Sequence, residues 1–313
     1  MLRAHPLLMS VLFAAAALTG LNAQTASVSI PAWIETGACG DAPKFEASLN
    51  GKAVPVTAQS GPASDQLILV VLDLTGDPSL IEAAKPALVA AISKLPRNTW
   101  VGLLRDQDGL HVLADPGAAR QPVTDAIQSL SDSGEPGLLE TLVPALTLAD
   151  AMMRASPARV SVLYLTDGSI YSYREDYTNP VINQSDPHDL SRRFPEELIE
   201  EKISKLEEDI GSLEAPLFVA QLNYRSDRLN RAYQNGLETL AAATGGRSVI
   251  CRSAAEVPGA ISGLVARISS AWRVTVAVPA RIRSNVQIQL SAPCHDGDQR
   301  IWWRTHFHPK EGK

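Results

Sequence analysis

The sequence predicts an α/β protein: a doubly wound, mostly parallel sheet with helices on both faces, joined to a small β domain built from the two ends of the chain. Three observations predict it. Continuous apolar runs such as QLILVVLD (66–73) and VSVLYLTD (160–167) mark strands covered on both faces. Segments of helical apolar spacing separate such strands from residue 66 to residue 270, and that alternation is the sign of parallel strands linked by crossover helices. Short extended segments lie before and after this region, each too small to bury a core alone.

The chain opens with MLRAHPLLMSVLFAAAALTGLNAQ, in which Arg3, an apolar run from Leu7 to Leu18 and the small-residue ending Leu21-Asn22-Ala23 form the anatomy of a cleavable secretory signal. The run is short of the ~20 apolar residues a membrane span requires. Residues 1–23 are therefore expected to be removed, leaving a periplasmic or secreted protein without a membrane span. Residues 24–65 read as a β segment: SVSIPAWIE and FEASLNGKAVPVTAQ are extended, and Asn50-Gly51 favours a tight hairpin turn.

Residues 66–270 carry the α/β domain. QLILVVLD is followed by the helical SLIEAAKPALVAAISKL, and TWVGLLR and GLHVLAD are strands joined by the polar turn Asp106-Gln107-Asp108-Gly109. VTDAIQSL and LLETLVPALTLADAMMRA are helices, and ARVSVLYLTDG is a buried strand ending in an aspartate. PEELIEEKISKLEEDIGSL reads as an amphipathic helix with a solvated charged face, then PLFVAQLNY as a strand and RLNRAYQNGLETLAAATGG as a helix ending at glycines. RSVICR and AAEVPGAISGLVARISSAW supply the last strand and helix. Residues 271–313 return to β texture, with RVTVAVPA, NVQIQLSA and RIWWRTHF as three strands at hairpin-like spacing, expected to pack with 24–65. Trp302 and Trp303 adjoin on a strand, so one should face inward and one outward.

Of 313 residues, 45% are hydrophobic and 20% charged, the composition of a globular protein; the formal charge of −6 argues against nucleic acid as a partner. Cys39, Cys251 and Cys294 allow one disulfide and one leftover thiol in an oxidising compartment. No cysteine has metal-site spacing, and Cys294 and His295, as neighbours on an extended segment, point apart. His295, His306 and His308 read as surface residues.

Chemistry gathers at strand ends. In VVLDLTGDPSL (70–80) a buried strand ends in Asp73, Thr75 and Asp77 at every other position, then Pro78 opens a helix; VSVLYLTD ends in Asp167. In doubly wound sheets ligands collect outside the carboxyl ends of strands. Two aspartates converging there repel unless a cation or a proton lies between them, so the pattern asks for a divalent metal. Asp73 and Asp77 also suit capping of the helix that begins near Pro78.

On these residues and this order of elements, residues 66–270 resemble a von Willebrand factor type A domain, in particular the exported bacterial VWFA-related proteins. The resemblance implies a metal-ion-dependent adhesion site with Asp73, Thr75, Asp77 and Asp167 as ligands of Mg2+ or Ca2+. It also implies a departure: Pro136 stands where such sites carry a threonine, Thr141 lies a turn further along, and Asp77 replaces a hydroxyl. The site is thus expected to be degenerate, with less pull on a partner's carboxylate. The function implied is that of an exported, noncatalytic adhesion-type module for an unidentified protein, with Tyr171, Tyr173, Arg174 and Tyr177 of the long 169–197 loop as contact residues. A structural or assembly role in the cell envelope with an inert site is the alternative. Asp73 with Thr75 is also similar to the nucleophile loop of haloacid dehalogenase phosphatases, but Thr75 stands where those enzymes carry an acidic residue.

Overall fold

A computed structural model describes residues 25–34, 43–61, 64–117, 119–131, 133–173, 195–279, 286–294, 297–298, 301–304 and 306–307. The chain begins with strands β1 (Thr25–Ile34), β2 (Glu46–Leu49), β3 (Lys52–Val54) and β4 (Val56–Gln59). β5 (Gln66–Asp73), α1 (Pro78–Ser93), the hairpin β6 (Thr99–Asp106) and β7 (Leu110–Gly117), α2 (Gln121–Gln128) and α3 (Leu138–Ala155) follow. β8 (Arg159–Thr166), α4 (Pro195–Ile210), β9 (Leu217–Gln221), α5 (Arg228–Ala243), β10 (Arg247–Ile250) and α6 (Val257–Ser270) complete the alternation. The chain then returns to β structure in β11 (Trp272–Pro279), β12 (Val286–Ser291), the short pair β13 (Pro293–Cys294) and β14 (Gly297–Asp298), β15 (Ile301–Trp303) and β16 (His306–Phe307).

β5 to β10 form a six-stranded sheet in the order β10-β9-β8-β5-β6-β7, parallel except for the antiparallel edge strand β7. Every residue of β5 and β8 is buried. Alternate side chains serve opposite faces, as the two-residue period of a strand requires: Ile68, Val70 and Leu72 pack with α1, α2 and α6, while Leu67, Leu69 and Val71 pack with α3, α4 and α5. This is the doubly wound sheet expected from the continuous apolar runs.

The two ends of the chain pair with each other. β1 runs antiparallel to β11 from Thr25↔Pro279 to Ala32↔Trp272, and β2 pairs with β12. The sheets β15-β1-β11-β4 and β16-β12-β2-β3 share a core that includes Ile30, Phe45, Leu49, Val274, Val276 and Ile288. Asn50 and Gly51, at φ of 48° and 79°, make the β2–β3 turn that their sequence favours. Trp303 packs on this core and donates from Nε1 to the Ile288 carbonyl (3.0 Å), whereas Trp302 is exposed.

Two expectations for this region are corrected. Despite their hairpin-like spacing, β11 and β12 lie in different sheets, each with both edges filled, β11 by β1 and β4 and β12 by β2 and β16. RIWWRTHF is not one strand: β15 pairs with β1 and β16 with β12, and the break falls at Arg304. That side chain is buried, with its guanidinium drawn to the Gly211 and Leu213 carbonyls beyond the end of α4.

Cys251 is a buried free thiol whose pKa burial raises to about 11; Cys39 and the Cys294 side chain lie outside the described residues, as do His295 and His308. Residues 1–24 and 174–194 lie outside them too. Among the described residues no helix is long and apolar enough to cross a membrane.

Arg159, at the start of β8, ties the β and α/β parts together. Its guanidinium donates to Ser64 Oγ (2.8 Å), the Ala271 carbonyl (2.7 Å) and the Gly61 carbonyl (3.3 Å), so it binds both connections that cross between the two parts. Burial lowers its pKa to about 10, which leaves it charged at neutral pH. Arg159→Met is expected to cost about 3 kcal/mol in urea unfolding, since hydrogen bonds to charged groups contribute about 1.5–3 kcal/mol each and the stranded acceptors stay buried. An unchanged urea midpoint would show that the junction does not depend on this side chain.

Candidate functional site

β5 and β8 lie side by side with Asp73 opposite Thr166, and the strand order reverses at this pair. The Asp167 amide continues the ladder to the Asp73 carbonyl (3.2 Å). A doubly wound sheet opens its ligand crevice outside the carboxyl ends of strands at such a reversal.

Asp73 is wholly buried there. Its Oδ2 accepts from Thr166 Oγ1 (2.8 Å) and its Oδ1 from the Gly137 amide (3.3 Å). Burial, reinforced by the nearby charge of Asp106, pushes its carboxyl well above the usual range; the Thr166 hydrogen bond opposes the shift without cancelling it. Asp106, the last residue of β6, is also buried and raised, first by burial. Its Oδ2 accepts from the Thr141 hydroxyl and from Tyr164 Oη (3.2 Å), while its Oδ1 faces Gly137 without a partner. A Cβ at 137 would collide with that oxygen, which explains a glycine at the head of α3. Burial of both acids favours their neutral forms.

Asp167 behaves differently. Its Oδ1 accepts from the Thr75 amide (2.9 Å) and its Oδ2 from the Gly76 (2.9 Å) and Asp77 (2.7 Å) amides. Three successive amides converging on one carboxylate form a nest, which compensates the buried charge with fixed dipoles. Gly76 permits the approach, since a Cβ there would stand 3.2 Å from Asp167 Oδ2. Asp77 caps α1, its Oδ1 accepting from the Ser79 amide (2.9 Å) and hydroxyl (2.7 Å), and the Ser79 hydroxyl above all holds its carboxyl below the usual range. The Gln107 side chain donates to the Leu74 carbonyl (2.6 Å) and braces the same loop.

Of the four residues expected as metal ligands, Asp73, Thr75, Asp77 and Asp167 meet at one edge, but the three carboxylates are turned to hydrogen-bond donors of the chain itself. Pro136 packs beside Gly168 over the crevice and offers no side-chain oxygen; Thr141 Oγ1 is engaged by Asp106, the Gly137 carbonyl and Tyr164. Among the described residues no group of three or more His, Cys, Asp or Glu side chains is placed to hold an ion. Arranged this way, the donors do not fit a divalent cation.

The rim differs from expectation at Tyr173, which is not a surface contact. It is buried in the core, its hydroxyl 2.8 Å from that of Tyr233 and the two rings edge to face. Tyr171 is exposed and donates to Asp227 Oδ1 (3.1 Å), while Arg174 and Tyr177 lie outside the described residues. Asp106 and Thr166 were missed as members of the centre. Thr166, next to Asp167 at the end of an apolar run, could have been found by asking what would satisfy a buried Asp73.

No protein-family profile matches the chain, and no curated protein matches it. Solved structures do resemble it. A von Willebrand factor type A protein from Catenulispora acidiphila aligns at a TM-score of 0.47 and 14% identity, over 86% of this chain and 74% of its own. A point mutant of the PilB minor pilin from Streptococcus sanguinis gives 0.47 and 11%, over 66% of this chain and 62% of the pilin. The vWF domain of the type V pili tip protein Mfa5 from Porphyromonas gingivalis gives 0.43 and 12%, over 65% and 94%.

Two outcomes are expected from the geometry. Asp167→Ala strands three amides and should cost about 3 kcal/mol in urea unfolding, with Asp167→Asn falling between it and the parent because one acceptor remains. Asp73 keeps its proton in the folded chain to a higher pH than in the unfolded chain, where it titrates near pH ~4. Stability should therefore decline as pH rises from about 4 through the folded-state value. Asp73→Asn should flatten that decline and gain on the parent as pH rises; parallel pH profiles for the two proteins would contradict a protonated Asp73.

Proposed function

We propose that the protein is an exported, noncatalytic binding module that presents the carboxyl edge of its parallel sheet to a protein partner, with the aspartate centre serving as a rigid, cation-independent scaffold. The observation that carries this reading is the Asp167 clamp: at the crevice mouth both carboxylate oxygens are occupied by the amides of 75–77. A divalent ion, the cofactor implied by the resemblance, would have to draw Asp167 off three amides and Asp77 off its helix cap, and would find Pro136 in place of a hydroxyl. Catalysis fits the geometry poorly. A nucleophilic Asp73 must be ionised and reachable, and here it is wholly buried, with burial disfavouring its charged form. The leader anatomy of residues 1–23 supports export, with a mature chain beginning at Gln24.

Two measurements test the reading. Calorimetric titration of the mature, chelator-treated protein with Mg2+, Ca2+ and Mn2+ should show no saturable heat that Asp73→Ala removes. A photo-crosslinking residue at exposed Ser226 should capture a protein from extracts of the source organism with or without chelator, whereas one at exposed Ser262, on α6, should not. A crosslink at 226 that chelator abolishes would restore the ion to the site, and the absence of any crosslink there would favour the envelope-assembly role instead.

A further inference from the structure

The acids along the carboxyl edge are spent on the chain itself. Asp167 takes three amides and Asp77 takes Ser79. Asp227 caps α5, accepting from the Asn230 amide (3.1 Å), Asn230 Nδ2 (2.8 Å) and Tyr171 Oη. Glu256 accepts from the Arg252 amide (2.9 Å), and Glu196 pairs with Arg228. Two cations are not spent in this way. Arg225 and Arg252 are exposed, and among the described residues neither guanidinium makes a hydrogen bond or a close ion pair.

These two arginines are nonetheless positioned. The Tyr224 amide bonds the Cys251 carbonyl (2.9 Å), which brings the exits of β9 and β10 together, and the Arg252 guanidinium lies 5.6 Å from the centroid of the exposed Tyr224 ring. Arg225 is held at both backbone atoms by one buried side chain: its amide donates to Gln234 Oε1 (2.9 Å) and its carbonyl accepts from Gln234 Nε2 (2.9 Å). The charge of Arg225 adds a small share to the lowering of the Asp77 carboxyl.

We propose that Tyr224, Arg225 and Arg252, with Tyr171 beyond Asp227, form a docking surface for an acidic segment of a protein partner, whose carboxylates are taken by arginine forks instead of a metal ion. This rests on the reading of the edge as a protein-binding face. A guanidinium matches a carboxylate with two parallel hydrogen bonds, and a fixed backbone lowers the cost of ordering the contact. Exposed Tyr beside Arg is the composition of interface anchors. The two guanidiniums, without a hydrogen bond or close ion pair among the described residues, are the groups that complement negative charge.

The probe is a fluorescein-labelled peptide of alternating Glu and Gly, compared by anisotropy with its Gln counterpart and with a single-stranded DNA oligomer of equal charge, on the full mature chain in EDTA. The Glu peptide should bind, weaken with salt, and lose about tenfold or more in affinity with Arg225→Glu or Arg252→Glu. Unchanged melting temperatures in both variants would confirm that they are folded, as neither guanidinium makes a hydrogen bond. Failure of the Glu peptide to bind, equal binding of the Gln peptide or the oligomer, or an unaltered affinity in the variants overturns the assignment. If the Ser226 crosslink persists in Arg225→Glu/Arg252→Glu, the face stands and only the arginine assignment falls; if the parent protein gives no crosslink there, the reading of the face itself fails.

Discussion

Every residue of β5 and β8 is buried, and that constraint decides what the ends of these strands can carry. A polar group at the last position of a doubly covered strand has no water to turn to, so its partners must come from the chain. Asp73 is served by Thr166 from the neighbouring strand and by the amide that opens α3; Asp167, one residue further out, is served by the loop that opens α1. The crevice is thus held by contacts between strand ends and helix starts that are far apart in sequence.

The three acids solve one problem in two ways. Asp167 collects three amide dipoles, whereas Asp73 and Asp106 lie deeper, where burial shifts both carboxyls toward the protonated form. Hydrogen-bond donors of the chain thus meet carboxylates that converge at the strand ends.

Much of the fold was legible because burial writes itself into composition. QLILVVLD and VSVLYLTD could be nothing but covered strands, and Asn50-Gly51 announced its turn. What stayed hidden depends on contacts between distant segments. RIWWRTHF has the texture of one strand, and only the capture of Arg304 by the end of α4 breaks it. Tyr173 reads as a contact residue within a polar loop, and only the partnering hydroxyl of Tyr233 draws it inward. Asp106 looked like the start of a turn because its neighbours Gln107, Asp108 and Gly109 are turn formers; its burial follows from Thr141 and Tyr164, on other elements. At the centre itself, Asp73, Thr75, Asp77 and Asp167 could be grouped from sequence, but whether their oxygens face outward or toward amides is set by loop geometry that no spacing rule contains.

The pairing of β1 with β11 has a temporal side. The partner of β1 is synthesised only after the entire α/β region, so during translation β1 and β2 emerge with exposed edges and nothing to cover them. Closing so long a loop from an unfolded chain would be slow. Here the intervening sheet can form first from local strand–helix units, and once Arg159 draws Gly61 and Ala271 together the remaining closure is short. A chain interrupted before β11 would carry a finished α/β layer and β1 and β2 without their partners, a state that quality-control machinery recognises by its exposed edges.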